Sequence, residues 1–189
     1  MKAYQTEQAL LLLERLARII NNDAGSSDIK PAQWEALRFF SQANRFSRTP
    51  SALTAYLGVT KGSVSQTINA LERKGYLMKA TEPGDRRSVN IELTVQGRAL
   101  LKNNPLQALL PAMDKMNMAE LKTFNTTLRG LLTEALTARA GRPFGVCKTC
   151  RFFKRNAVNG NPHRCGLLDV PLSVDDSELI CREHERVTT

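Results

Sequence analysis

The fold is decided by the stretch TPSALTAYLGVTKGSVSQTINALERKGYLMKATEPGDRRSVNIEL, Thr49–Leu93. Its opening pair, Thr49-Pro50, is a helix start: the threonine hydroxyl accepts from free backbone N–H groups, and proline is pre-set for the first helical position. The helix runs to Leu57, Gly58 supplies the permissive backbone of a tight turn, and Thr60 caps a second helix that reaches about Lys74 and ends at Gly75. Two short helices joined by a glycine turn make a helix-turn-helix. Beyond Gly75 the apolar period falls to two, with Val89, Ile91 and Leu93 alternating with Ser88, Asn90 and Glu92 as in a half-buried strand. Its partner is Tyr76 to Thr81. Between them Glu82-Pro83-Gly84-Asp85-Arg86-Arg87 reads as a turn with a basic tip. This is a wing, and the unit as a whole is a winged helix-turn-helix.

Within the second helix, Val64, Ile68 and Leu71 share one face and pack inward. Lys61, Ser63, Ser65, Gln66, Asn69 and Arg73 are left outward or flanking. Hydroxyls, amides and basic groups on such a face suit a helix laid into a DNA major groove, where they reach base edges and phosphates. Thr60 and Gly62 complete the set at the helix start, where exposed N–H groups and the helix dipole favour a phosphate. Arg86 and Arg87 are placed to enter a minor groove, and Asp85 to hold an arginine through a charge-assisted hydrogen bond.

The rest of the chain agrees with a polyanionic partner. There are 27 Lys and Arg against 18 Asp and Glu in 189 residues, a formal net charge of +9. Residues 1–141 hold 19 of the basic and 12 of the acidic residues, and residues 142–189 hold 8 and 6. The basic excess therefore lies in the first part, and the boundary falls near Gly141-Arg142-Pro143. Two units are expected: residues 1–141, mainly helical with the β-hairpin wing, and a small cysteine-rich extension over residues 142–189.

Before the winged unit, Tyr4 to Asn21 has a helical pattern whose apolar residues, Leu10 to Leu13, Leu16, Ile19 and Ile20, spread beyond one face and need burial on two sides. Pro31 to Asn44 is a second helix. After the wing a helix starts at Thr94 and runs to about Lys102, Pro105 and Pro111 interrupt the segment beyond it, and Asn117-Met118-Ala119-Glu120 is a capping box that opens the last long helix. No apolar run approaches the roughly 18 residues needed to cross a membrane. With no export signal either, a cytoplasmic protein is expected, with reduced thiols that bind metal in preference to forming disulfides.

Leu57-Gly58-Val59-Thr60-Lys61-Gly62-Ser63-Val64-Ser65, Leu71 to Leu77, Gly84-Asp85-Arg86-Arg87-Ser88, and Leu93-Thr94 to Gly97-Arg98 closely resemble the MarR family of bacterial transcription regulators, over roughly residues 5 to 140. In that family an Asp-x-Arg pattern marks the wing, here Asp85 and Arg87, and the resemblance implies that Arg87 contacts DNA. It also implies a homodimer through the first and last helices. The wide apolar stripe of the first helix points the same way, with burial in the protein's own core as the alternative. A two-fold dimer predicts double-stranded DNA with a pseudo-palindromic operator as the partner.

All four cysteines lie in the extension: Cys147 and Cys150 across one turn, then Cys165 and Cys181 singly. Four thiolates so gathered are a metal-binding set, and a [4Fe-4S] cluster is placed ahead of Zn²⁺ because zinc sites usually draw on two Cys-x2-Cys pairs and only one is present. The spacing resembles that of high-potential iron–sulfur proteins. His163 and His184 are expected beside the site, with Phe152, Phe153, Leu167, Leu168 and Val170 wrapping it. The function expected is a dimeric repressor whose metal centre, or a small-molecule effector in the dimer crevice, alters its hold on DNA. The alternative is an architectural DNA binder whose tail is a structural zinc module for docking another protein. An enzyme is not expected, since no Ser/His/Asp set, carboxylate pair or phosphate-cradling glycine loop occurs.

Overall fold

The computed structural model describes residues 1–25, 28–82, 85–156 and 162–187, without the side chains of residues 22–25, 81–82 and 85–88. Among the described residues are eight α-helices and seven strands, and the core belongs to the winged unit. Helix α1 spans Lys2–Gly25 and α2 spans Pro31–Gln42. In α2 the Gln33 side chain accepts the Lys30 N–H at 3.0 Å, and Trp34, Leu37, Phe39 and Phe40 are buried. The helix stops two residues short of Asn44, whose N–H bonds to Ile180 of the extension at 2.9 Å.

Helix α3 covers Pro50–Leu57, where Thr49 accepts from the Ala52 N–H, and Gly58 ends it with φ 66°. Helix α4 covers Lys61–Arg73, with Thr60 accepting from the Ser63 N–H and Gly75 closing the turn at φ 75°. Both glycines take the left-handed conformation that side chains resist. Val64, Ile68 and Leu71 of α4 meet Ala52 and Leu53 of α3 and the α2 aromatics in one cluster. Each large apolar side chain there contributes about 1.5 to 3 kcal/mol when removed from water.

Strands β1, Leu77–Glu82, and β2, Asp85–Leu93, pair antiparallel from Leu77↔Leu93 outward, with an irregularity between Thr81 and Glu82. Leu77, Ile91 and Leu93 face the core. The strand begins earlier than Ser88, so Asp85, Arg86 and Arg87 stand on β2 itself and not on a loop tip. The regular ladder ends at Thr81↔Val89; beyond it Glu82 pairs with Asp85, and residues 86–88 bulge between the two pairings.

Helix α5, Val95–Leu100, gives way to tight single turns at Leu101–Asn103 and Pro105–Leu109, then to the short α6, Leu110–Met113. Gly97 is required where α5 begins: a Cβ there would stand 2.2 Å from the Tyr76 carbonyl oxygen and 3.0 Å from Leu93. The same corner is tied by Thr94, whose hydroxyl donates to the Gly75 carbonyl at 2.6 Å and whose N–H donates to Tyr76 at 3.1 Å. Gly97→Ala is expected to cost about 1 to 3 kcal/mol through overpacking. Thermal unfolding checks it, and an unchanged melting temperature would count against the close approach.

Helix α7, Met118–Thr137, opens with the expected capping box of Asn117 and Glu120. It has no buried residue, and α1 likewise leaves Leu10 63% and Leu12 59% exposed, with Leu132 of α7 at 60%. The single chain's own core therefore does not cover these stripes. Among the described residues no helix is long and apolar enough to cross a membrane.

The extension adds β3 (Gly145–Val146), β4 (Phe153–Arg155), β5 (His163–Cys165), β6 (Val170–Leu172), helix α8 (Val174–Glu178) and β7 (Ile180–Cys181). β3 pairs with β7, and β4, β5 and β6 form a three-stranded antiparallel sheet. It does not stand apart. Phe144 meets Phe39 and Tyr56 edge-on, with ring centroids 5.9 and 5.2 Å away, so the extension seats on the α2–α3 side of the core. The fold is mainly α with a small β-hairpin wing: a winged helix-turn-helix carrying a docked cysteine-rich extension.

Candidate nucleic-acid interface and cysteine pocket

Helix α4 presents its expected outward set to solvent. Lys61, Gly62, Ser63, Ser65, Gln66, Asn69 and Arg73 are exposed, while Val64, Ile68 and Leu71 hold the helix down from the other side. At the N-terminus the Thr60 and Ser63 hydroxyls share a hydrogen bond of 2.9 Å, so both serve the cap. Further along, Lys79 of β1 donates to the Asn69 amide oxygen at 3.1 Å and meets Glu72 at 2.6 Å. With its oxygen so engaged, Asn69 directs its NH₂ donors to any outward partner. Lys79 thus fixes the wing against the outward face of α4. Its role has no signal in the sequence, because nothing in the local pattern pairs a strand lysine with an amide ten residues earlier.

At the wing, Asp85, Arg86 and Arg87 occupy the first three positions of β2, and Asp85 lies opposite Glu82. The expected hold of Asp85 on an arginine concerns side chains outside the described residues.

The extension gathers its cysteines although they come from four places: Cys147 and Cys150 from the turn after β3, Cys165 from the end of β5, Cys181 from β7. All four line one small, largely closed cavity of about 10 Å³. Phe152, Phe153, Leu167 and Leu172 supply apolar walls, with Glu183 beside them. Leu172 takes the place expected of Val170, and Leu168 serves through its backbone, donating its N–H to Cys165 Sγ at 3.5 Å. Glu185 N–H does the same to Cys150 Sγ at 3.5 Å. Burial, reinforced by the neighbouring Cys181, Cys165 and Cys150, pushes the Cys147 thiol up to about 12. All four are free thiols. Among the described residues, however, no three His, Cys, Asp or Glu side chains converge as a set that holds one metal ion.

Neither histidine lines the cavity. His163 packs on the Phe153 ring at 4.8 Å, and His184 lies against Gly145 with its Nε2 2.9 Å from the Thr149 hydroxyl. Desolvation lowers the His184 pKa, which favours the neutral ring there.

One cysteine sits in the strap that joins the extension to the DNA-facing unit. Immediately before Cys181, the Ile180 carbonyl accepts the Asn44 N–H at 2.9 Å. Immediately after it, the Arg182 N–H donates to Ser47 Oγ at 3.0 Å and its guanidinium to Ser51 Oγ, on α3, at 2.9 Å. Arg45 adds a bond to the Pro171 carbonyl at 2.5 Å and an ion pair with Asp176 at 3.5 Å. The loop between α2 and α3 is therefore clasped from both sides of a candidate ligand. None of Asn44, Ser47 and Ser51 carries a motif, so this coupling is not legible from spacing.

Comparison with known proteins bears on the winged unit above all. The model of the MarR family matches residues 27–88. The HTH-type transcriptional regulator PecS of Dickeya dadantii (strain 3937) is 36% identical over 56 residues, which cover 30% of this chain and 34% of PecS. The match thus spans about a third of that relative's length. Among solved structures, Streptococcus pneumoniae FabT in complex with DNA is 25% identical with a TM-score of 0.54, covering 71% of this chain and 99% of that one. A MarR/EmrR family transcriptional regulator from Acinetobacter sp. ADP1 shares the fold at 20% identity and a TM-score of 0.54, over 71% of this chain and 96% of its own.

Proposed function

We propose that the chain is a sequence-specific DNA-binding transcription regulator that works as a homodimer. The observation that carries this reading is the exposed polar and basic face of α4, held by Lys79 beside a β-hairpin in a chain of net charge +9. Thr60 to Arg73 would lie in the major groove, and Asp85, Arg86 and Arg87 would follow the wing to the minor groove. The similarity to FabT, whose structure is of a complex with DNA, supports the assignment. Selection from random duplexes followed by footprinting tests it. A protected pseudo-palindrome with half-sites about one helical turn apart is expected. No preference over random duplex at physiological salt would overturn the reading.

The uncovered apolar faces of α1 and α7 support the second copy, since contiguous patches of that kind mark interaction surfaces. Leu132→Glu, which puts a charge into the α7 face, is expected to shift the protein from dimer to monomer in light scattering and to weaken operator binding. A dimer of unchanged stability would remove α7 from the interface.

In this reading the protein is a repressor, and the four cysteines hold a metal centre, an iron–sulfur cluster or zinc, that reports redox state or metal supply. Its ligand Cys181 lies between the two residues clasping the α2–α3 loop. Loss of the centre would loosen that clasp and re-aim the helix-turn-helix. A small molecule in the dimer crevice is the other effector the architecture admits.

A further inference from the structure

A cleft of about 540 Å³ lies where the extension meets α7, and the charge of its wall is unbalanced. Arg142, Arg151, Arg182 and Arg186 line it against two carboxylates, Glu183 and Glu185, which leaves a net charge of +2. His184 adds nothing to this, since burial lowers its pKa, Arg186 and Arg129 act in the same direction, and the neutral ring is favoured. Clefts of about 300 to 1,000 Å³ take a whole small molecule.

The arginines are held in place with donors to spare. Arg142 meets Glu183 and Arg151 meets Glu185 at 2.9 Å each, in pairs whose side chains are 41 to 53% exposed. Pairs so open to water are weak, and their carboxylates are readily exchanged for another anion. Arg186 donates to the Thr133 hydroxyl of α7 at 3.1 Å and, among the described residues, has no carboxylate partner. Arg182 gives its Nη1 to Ser51, while its Nε–H is buried without an acceptor, the Glu183 carboxylate standing 3.6 Å away.

Guanidinium forks around one cleft match the oxygens of a phosphate group, each fork offering two parallel donors. A phosphate monoester carries about −1.5 to −2 at neutral pH, which balances the wall. The volume left over, beside Pro143 and the arginine stems, admits the rest of an ester. No wall comes from α4 or the wing, so the cleft is separate from the surface that would face DNA.

Resting for its second part on the reading of the chain as an operator-binding protein, we propose that this cleft binds a small molecule bearing a phosphate monoester and that the helix-turn-helix responds to it through Arg182. Arg182 lines the cleft while its backbone N–H holds Ser47 and its Nη1 holds Ser51 on α3. A phosphate that draws the guanidinium off Ser51 releases one bond of the clasp. Occupancy therefore weakens operator binding, and operator DNA weakens ligand binding by the same factor.

Calorimetry on the full chain, without DNA, tests the site with glycerol phosphate, inorganic phosphate, glycerol and succinate as probes. One glycerol phosphate per chain is expected, and no binding of glycerol. Affinity should fall about 10-fold or more in Arg186→Gln and in Arg142→Gln, with circular dichroism showing both folded. No saturable binding of either phosphate, or binding untouched by both variants, overturns the site. Succinate bound as tightly as glycerol phosphate overturns the phosphate class. Operator titrations then read the coupling. Glycerol phosphate should weaken operator binding by about 5-fold or more in the parent. Ser51→Ala should bind the probe like the parent and lose its effect on DNA. Bound probe with unchanged operator affinity overturns the coupling and leaves the site standing. Absence of any preferred duplex overturns the DNA reading and the coupling with it, while calorimetry still decides the site. A loss of operator affinity in Arg186→Gln without probe, with a shallower dependence on salt, puts these arginines on DNA and overturns the small-molecule site.

Discussion

Phe39→Ala is expected to lower stability by about 3 to 5 kcal/mol, the range for emptying a fully buried aromatic site. Phe39 is 1% exposed and its ring lies 5.3 Å from Phe40, 4.9 Å from Tyr56 and 5.9 Å from Phe144. Aromatic contacts of this geometry contribute about 0.5 to 1.5 kcal/mol each beyond the area they bury. Set against the roughly 5 to 15 kcal/mol typical of whole domains, the loss is a large share of the total. For a chain of this size it corresponds to a fall in melting temperature of roughly 10 °C. Because Phe39 supports both the winged core and Phe144, the extension should also become more open to proteolysis than in Phe144→Ala, which removes the seat and spares the core. A melting temperature within a degree or two of the parent would show that this ring does not join the two parts.

Arg87→Ala is expected to weaken operator binding by about 1 to 3 kcal/mol, roughly 5- to 150-fold, and to relax sequence preference at the base pairs nearest the wing. Lys61→Ala, at the start of α4, should instead weaken binding evenly across sequences and reduce the slope of log affinity against log salt by about one, as loss of one phosphate contact does. The pair separates reading from positioning. Equal effects on operator and random DNA in both variants would put Arg87 on the phosphates. No effect from either would take the wing and the start of α4 out of the interface.

Local signals carry the winged unit well. Thr49-Pro50, Gly58, Thr60 and Gly75 each have one dominant backbone role, and each occupies it in the structure. The period of Val64, Ile68 and Leu71 likewise tells which face of α4 is buried, so the outward residues are found by elimination. At Asp85 to Arg87 the strand outruns its sequence signal, because these polar residues lie beyond the last regular pair, Thr81↔Val89, and carry no alternation of hydrophobicity. The gathering of four cysteines is legible as a count and a spacing, while the way they ring a void is not.

What the sequence by itself determined about this protein is the existence and order of the helix-turn-helix elements, the buried face of α4 and the wide apolar stripe of α1. These depend on contacts within a few residues or on a simple period. Only the tertiary structure decided that Lys79 reaches Asn69, that Gly97 must lack a side chain beneath Tyr76, and that residues 180–182 clasp the loop at Asn44 and Ser47. The last of these joins positions more than a hundred residues apart. Their pairing depends on how two packed surfaces meet, and no short pattern in either segment specifies it.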